Sequence, residues 1–205
     1  FEMGIKIENE NDTEKPYYAI NISGFNYHYS NKIKQVQLTG VPVQFPMSFG
    51  EASLSGFDSN LSFSSITKWF NFSSSYAYYL FSDPMAFQLQ PDKMVRNKIT
   101  LKIKWFQLDL IHRSESARQV TSINSTGTFF HNRLDAIKTY DANLSLKLKF
   151  RDYKGTISFS GKNLNNESQE LNGIPFLTKD IILILDFHGN KEQNNDFLVI
   201  VVVLL

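Results

Sequence analysis

Lys98-Ile99-Thr100-Leu101-Lys102-Ile103-Lys104-Trp105-Phe106-Gln107-Leu108-Asp109-Leu110-Ile111 is the stretch whose reading decides the fold. Ile99, Leu101, Ile103 and Trp105 fall on one parity, and Lys98, Lys102 and Lys104 on the other. A period of two marks an extended strand with one wet face. The apolar set then moves to Phe106, Leu108 and Leu110, a change of phase that predicts a bulge or bend inside one long strand. The lysines read first as a solvated face that discourages edge pairing. If their strands are neighbours, Lys102, Lys104, Lys147, Lys149 and Arg151 form a basic stripe suited to lipid head groups or an acidic partner.

The same rhythm recurs along the chain. Phe1, Met3, Ile5 and Ile7 alternate with Glu2, Lys6 and Glu8; Leu144, Leu146, Leu148 and Phe150 alternate with Ser145, Lys147 and Lys149. Between Ala19 and Tyr29 the apolar phase shifts from Ile20 and Ile22 to Phe25, Tyr27 and Tyr29, which predicts a bulge at Ser23-Gly24. Asn31-Lys32 reads as a hairpin turn, and Arg113 to Arg118 as a polar loop or one helical turn. Val41 to Phe49 alternates too, with Pro42 and Pro46 opposite, so that strand belongs at an edge. Gly161 to Gly173 reads as a mobile loop. Ile181 to Phe187 and Phe197 to Leu205 are continuously apolar and read as a hairpin of strands buried on both faces. No stretch carries sustained helical spacing with caps. The expected fold is all-β: one antiparallel sandwich over 1–205, jelly-roll or immunoglobulin-like, with few or no helices. Phe1 to Phe49 and Lys98 to Phe159 are expected as its two layers, with an elaborated aromatic-rich connection at about 50–92.

Composition narrows the function. The 205 residues are 42% hydrophobic and 20% charged, with 21 basic and 20 acidic side chains. Near-neutrality argues against a dedicated nucleic-acid binder. The absence of cysteine excludes thiol chemistry and Cys-ligated zinc. His28, His112, His131 and His188 have no metal-ligand spacing, and no nucleophile elbow, phosphate-cradling loop or calcium loop is present. The expectation is a protein without catalytic residues, metal or cofactor. Phe1 in place of an initiator Met reads as a processed product or fragment.

Asn-X-Ser/Thr starts at Asn11, Asn21, Asn60, Asn71, Asn124, Asn143 and Asn166, where random placement would give roughly three. As N-glycosylation acceptors these favour an extracytoplasmic surface; a chain rich in Asn and Ser also produces them freely. Trp69, Phe70, Phe72, Tyr76 and Tyr78 lead an aromatic segment that serves either as core or as a contact surface. Phe197, Val199, Val201 and Val203 lie in the terminal run, which has three readings: a core strand, a donor strand for a neighbouring subunit, or the start of a truncated transmembrane helix.

Met3-Gly4-Ile5-Lys6-Ile7-Glu8-Asn9-Glu10-Asn11, Tyr18 to Tyr29 and Lys34 to Phe45 together resemble the opening of a late-embryogenesis-abundant type-two (WHy) domain. Asn9-Glu10-Asn11 stands where that family has Asn-Pro. The resemblance covers the amino-terminal third and implies a β-sandwich tethered beside a membrane that binds lipid or protein.

The functional expectation is therefore a non-enzymatic structural or interaction subunit on an extracytoplasmic, luminal or particle surface, membrane-anchored in one version. It binds a protein partner or itself through the aromatic segment and the terminal strand, with membrane or glycan contact as further options. The alternatives are a self-assembling subunit of a virion, phage tail or pilus, and a carbohydrate- or lipid-binding module.

Overall fold

The structure is a computed structural model that describes residues 1–9, 14–38, 44–123, 126–150, 153–171, 174–177, 180–189 and 197–204. Its strands are β1 (Glu2–Glu8), β2 (Tyr17–Tyr29), β3 (Ile33–Leu38), β4 (Gln44–Ser48), β5 (Ala52–Ser64), β6 (Phe70–Phe81), β7 (Lys93–Ile103), β8 (Phe106–Glu115), β9 (Arg118–Ile123), β10 (Phe129–Leu134), β11 (Ile137–Phe150), β12 (Tyr153–Lys162), β13 (Gln169–Leu171), β14 (Ile174–Leu177), β15 (Asp180–Gly189) and β16 (Phe197–Leu204). The described chain is all-β and has no helix, as the periodicity predicts, and the separate sheets are consistent with the expected sandwich-like class.

Ten strands form one sheet in the order β1-β2-β5-β6-β7-β8-β11-β12-β15-β16, every pairing antiparallel. Sheet order follows chain order, so the sheet is a meander that is interrupted by excursions. Those excursions supply a four-stranded sheet, β10-β9-β3-β4, and the pair β13-β14. In the four-stranded sheet β3 and β9 run parallel.

Several expectations resolve differently. The phase change at Trp105/Phe106 is a reversal of the chain: β7 ends at Ile103, Lys104 turns with φ 47°, and Ile103 pairs with Phe106 across the hairpin. The apolar set keeps its face while its parity flips. No bulge interrupts β2, whose register with β5 is continuous from Tyr17 to Tyr29. Its two apolar sets instead point to opposite faces. Residues 50–92 contribute β5 and β6 to the large sheet and are not an elaborated connection. The two segments expected as separate layers meet in one sheet, which holds β1, β2, β7, β8, β11 and β12. Arg113 to Arg118 contains the end of β8 and the start of β9. Asn31-Lys32 joins strands of different sheets and is not a hairpin turn. Pro46 does lie on an edge strand, β4; Pro42 is outside the described residues.

The terminal run forms β16, paired with β15 from Ile181–Leu204 to His188–Phe197. The hairpin is as expected, but burial on both faces is not: Ile181 and Ile184, on opposite faces, remain 37% and 36% exposed.

Residues 163–167 are held against the sheet. The Asn163 amide donates to Asp141 Oδ1 at 2.8 Å, Asn165 Nδ2 donates to the Lys138 carbonyl at 2.6 Å, and the Glu167 amide donates to Asn163 Oδ1 at 2.9 Å. Bonds back onto β11 make this part of the expected mobile loop an anchored one.

The core is small. Val36 is the largest fully buried side chain among the described residues, and Ala52, Ala86 and Phe87 form a cluster bordered by Tyr29, Phe49, Leu54 and Phe81. The accessible surface is 13973 Å². A compact monomer of 23.6 kDa exposes roughly 9,800 Å². The excess follows from one broad sheet with little packed on it.

Candidate functional site: the two faces of the large sheet

Residues directly opposite in a ladder point to the same face, so the register sorts every side chain of the sheet. One face collects Met3, Ile5 and Ile7 on β1, Ile20 and Ile22 on β2, and Phe57, Leu61 and Phe63 on β5. It continues through Phe70, Phe72, Tyr76 and Tyr78 on β6 and Val95, Ile99, Leu101 and Ile103 on β7. Phe106, Leu108 and Leu110 follow on β8, Leu144, Leu146 and Leu148 on β11, and Ile157 and Phe159 on β12. The backbone register carries the same row to Ile181 and Leu204. The apolar row is tallest on β5, β6 and β7, from Phe57 to Phe63, Phe70 to Tyr78 and Val95 to Ile103, and shorter on the strands to either side.

This face is uncovered. Most exposed large apolar side chains on the sheet belong to it, including Met3, Ile5, Ile7, Ile22, Phe57, Leu61, Leu110, Leu148 and Phe159. A sandwich buries such a face against its second sheet; here it stays open. One polar row crosses the band. Ser74 Oγ donates to Asn97 Oδ1 at 2.7 Å, Asn97 Nδ2 lies 3.2 Å from His112 Nδ1, and the His112 ring is 5.0 Å from that of Tyr140. Ser74, Asn97 and His112 are bonded in series, while Tyr140 joins the row by ring contact and is 50% exposed.

The opposite face is polar and bonded to itself. Asp109 accepts from Thr100 Oγ1 at 2.5 Å and Gln107 Nε2 at 3.2 Å and lies 3.8 Å from Lys98. Asp141 lies 3.4 Å from Arg113, and Glu115 3.4 Å from Arg118. A groove of about 470 Å³ runs over Asp58, Asn60, Arg96, Arg113 and Glu115. Arg96 and Arg113 are direct cross-strand neighbours. Toward one end this face turns aromatic: Phe25 contacts Tyr79 at 5.8 Å, and Phe87 stacks on Phe81 at 5.2 Å. Gly56 makes room for it, since a Cβ there would lie 3.1 Å from the Phe25 ring and 2.1 Å from the Tyr78 carbonyl oxygen. Burial raises the Tyr79 hydroxyl above its ordinary pKa, helped by the Asp58 carboxylate, to which Tyr79 donates at 3.4 Å.

The two ends of the sheet differ. At one end the strands are joined by 9–16, 65–69, 104–105, 151–152 and 190–196; at the other by the longer connections 30–51, 82–92, 116–136 and 163–179, three of which carry the smaller sheets. Trp69 and Trp105 sit at the short-turn end, 50% and 58% exposed. The Lys102 amide donates to the Trp69 carbonyl and the Lys147 amide to the Trp105 carbonyl, each at 2.7 Å, so these turns form one rim.

The register accounts for the expected site residues. Phe70, Phe72, Tyr76 and Tyr78 share the apolar face, with Trp69 at its rim. Phe197, Val199, Val201 and Val203 occupy the other register set of β16, opposite His188, Asp186, Ile184 and Ile182. Leu198, Ile200, Val202 and Leu204 hold the positions in line with the apolar band. Asn21, Asn60, Asn71 and Asn143 stand on the polar face, each followed two residues later by Ser on that face. An alternating polar face of Asn and Ser generates this tripeptide without any glycan. Asn166 lies in the anchored loop; Asn11 and Asn124 are outside the described residues. What single-strand reading missed was the band as a whole, because it exists only once ten segments are laid side by side.

Among the described residues no three His, Asp or Glu side chains are grouped to hold a metal ion, and no helix is long and apolar enough to cross a membrane. No family model matches the chain, and no curated protein is similar to it, so the WHy-like reading of the amino-terminal third rests on its own residues.

Proposed function

We propose that the large sheet is the wall of a transmembrane β-barrel, with the apolar face against lipid and the polar face toward an aqueous interior. The reading keeps the expected non-enzymatic role at a surface and names hydrocarbon as the partner of the apolar strands. One observation carries it: the register assembles apolar side chains of every strand of the meander from β1 to β12 into a band, crossed by one polar row, that is exposed on one face and backed by a charged, hydrogen-bonded face. Membrane barrels need that arrangement, since backbone groups must pair between strands and side chains must alternate between lipid and lumen. Connections no longer than 9–16 at one end and no shorter than 82–92 at the other support the same reading. So do Trp69 and Trp105 at the rim, the level at which indoles collect at a membrane surface. The sheet has an even number of strands, so β1 and β16 run antiparallel, the sense in which their free edges can pair.

Refolding the full chain with phosphatidylcholine vesicles tests the reading. Expected are β-sheet dichroism, co-flotation with the vesicles that survives carbonate and high salt, and protease resistance of the strands. A chain that folds in buffer without lipid or detergent and stays off the vesicles overturns it.

A further inference from the structure

We infer that the short-turn rim around Trp105 binds the phosphate of an anionic phospholipid. This rests on the barrel-wall reading and adds a specific site to it. A groove of about 610 Å³ is lined by Trp105, Leu148 and Gly155 together with Lys104, Lys147 and Lys149. A second, small one of about 50 Å³ shares Lys104, Trp105 and Lys147 and adds Lys102. Among the described residues no carboxylate lines either groove. The four lysines are exposed. The backbone brings them together: Lys104 is the left-handed residue of the β7–β8 turn, and Trp105 accepts the Lys147 amide on the neighbouring strand.

By register Lys102, Lys147 and Lys149 belong to the polar face and Leu148 to the apolar one. The β8–β11 pairing ends at Phe106–Leu146, however, so β11 runs past the β7–β8 turn and both sets meet in the groove at the edge of the sheet, a lining divided as an anionic lipid is. Gly155 pairs with Leu148 and carries no side chain, leaving space beside Leu148 and Trp105 at the level where the apolar band ends. That space suits the upper part of an acyl chain. Ammonium groups at the same level suit a phosphate, each contributing roughly a fivefold gain in affinity near a membrane surface. A soluble phosphate would use the lysines and leave the apolar part of the groove empty, so the lipid is the better fit. Of the five basic residues the stripe could contain, the structure gathers Lys102, Lys104, Lys147 and Lys149; Arg151 is outside the described residues.

The test uses the full chain in a zwitterionic detergent, with native mass spectrometry against phosphatidylglycerol, phosphatidylcholine and soluble glycerophosphoglycerol. The expected result is retention of phosphatidylglycerol over phosphatidylcholine, lost by roughly a hundredfold in K104Q/K147Q/K149Q and unchanged in K138Q at the opposite end. Quenching of Trp105 by brominated phosphatidylglycerol, in a W69F background, gives a second readout that needs no lysine variant. Equal retention of the two lipids, equal loss in K138Q, or equal binding of the soluble phosphate overturns the rim site and leaves the wall standing. Failure to enter micelles or vesicles of either lipid overturns the wall, and the rim site with it.

Discussion

Leu61 and Asn60 are consecutive residues of β5 on opposite faces, and both are exposed. Leu61 is 40% exposed, faces Ile20 and Ser74 across the ladders, and lies in the middle of its strand's apolar band. Asn60 faces Asn21 and Ser75. In water, Leu61→Arg would cost under about 1 kcal/mol, since the site is already part-solvated and the arginine stem replaces some leucine contact. In lipid the same change costs about 2–4 kcal/mol at mid-depth. Taking about 3 kcal/mol, the folded-to-unfolded ratio falls more than a hundredfold. Asn60→Arg, beside Asp58 on the polar face, stays within about 0.5 kcal/mol of the parent. Denaturant unfolding from vesicles, followed by sheet dichroism, measures both. Two variants of equal stability, or an Asn60→Arg chain weaker than Leu61→Arg, would refute the assignment of faces.

Other expectations follow from local geometry. Gly56→Ala forces its Cβ into the Tyr78 carbonyl and should lower stability by about 1–3 kcal/mol or prevent folding, whereas Gly24→Ala meets nothing nearer than 3.8 Å and should gain up to about 1 kcal/mol in an unfolding titration. Asp141→Ala leaves the buried Asn163 amide without its acceptor and should cost about 1–3 kcal/mol, while Asp141→Asn retains a carbonyl oxygen and should recover most of it. The Tyr79 hydroxyl has a raised folded pKa, so its stabilising effect is present below the ordinary tyrosine value and is lost as pH rises through the folded value. Stability should therefore fall on the alkaline side, less steeply in Tyr79→Phe, as read from unfolding midpoints between about pH 9 and 12.

The strand content was legible because alternation is a local property. Its assembly was not. Ile103 and Phe106 break the odd–even count in the sequence, and nothing local distinguishes a bulge from a two-residue turn; the pairing Ile103–Phe106 does. The serine-rich run of β5 conceals a strand because its apolar face alternates phenylalanine and leucine with Ser59, and its other face carries Gly56, Asp58 and Asn60. Trp69 through Tyr78 were visible as a contact surface, but their partner depends on what lies beside them. Within one strand Phe72 reads first as core; with Phe63 and Ile99 on either side it belongs to an open band. The lysine stripe had the same character, since its residues adjoin only through the β7–β8 and β8–β11 ladders.

The chain contains no cysteine, so single cysteines can be placed along β5 from 57 to 63 in an unmodified background. Spin labels at these seven positions, read in vesicles for collision with oxygen and with a water-soluble nickel complex, test the central claim most directly. The account predicts opposite alternation: oxygen reaches 57, 59, 61 and 63, and nickel reaches 58, 60 and 62. Nickel access at 57, 59, 61 and 63 equal to that at 58, 60 and 62 would place water on both faces and contradict it.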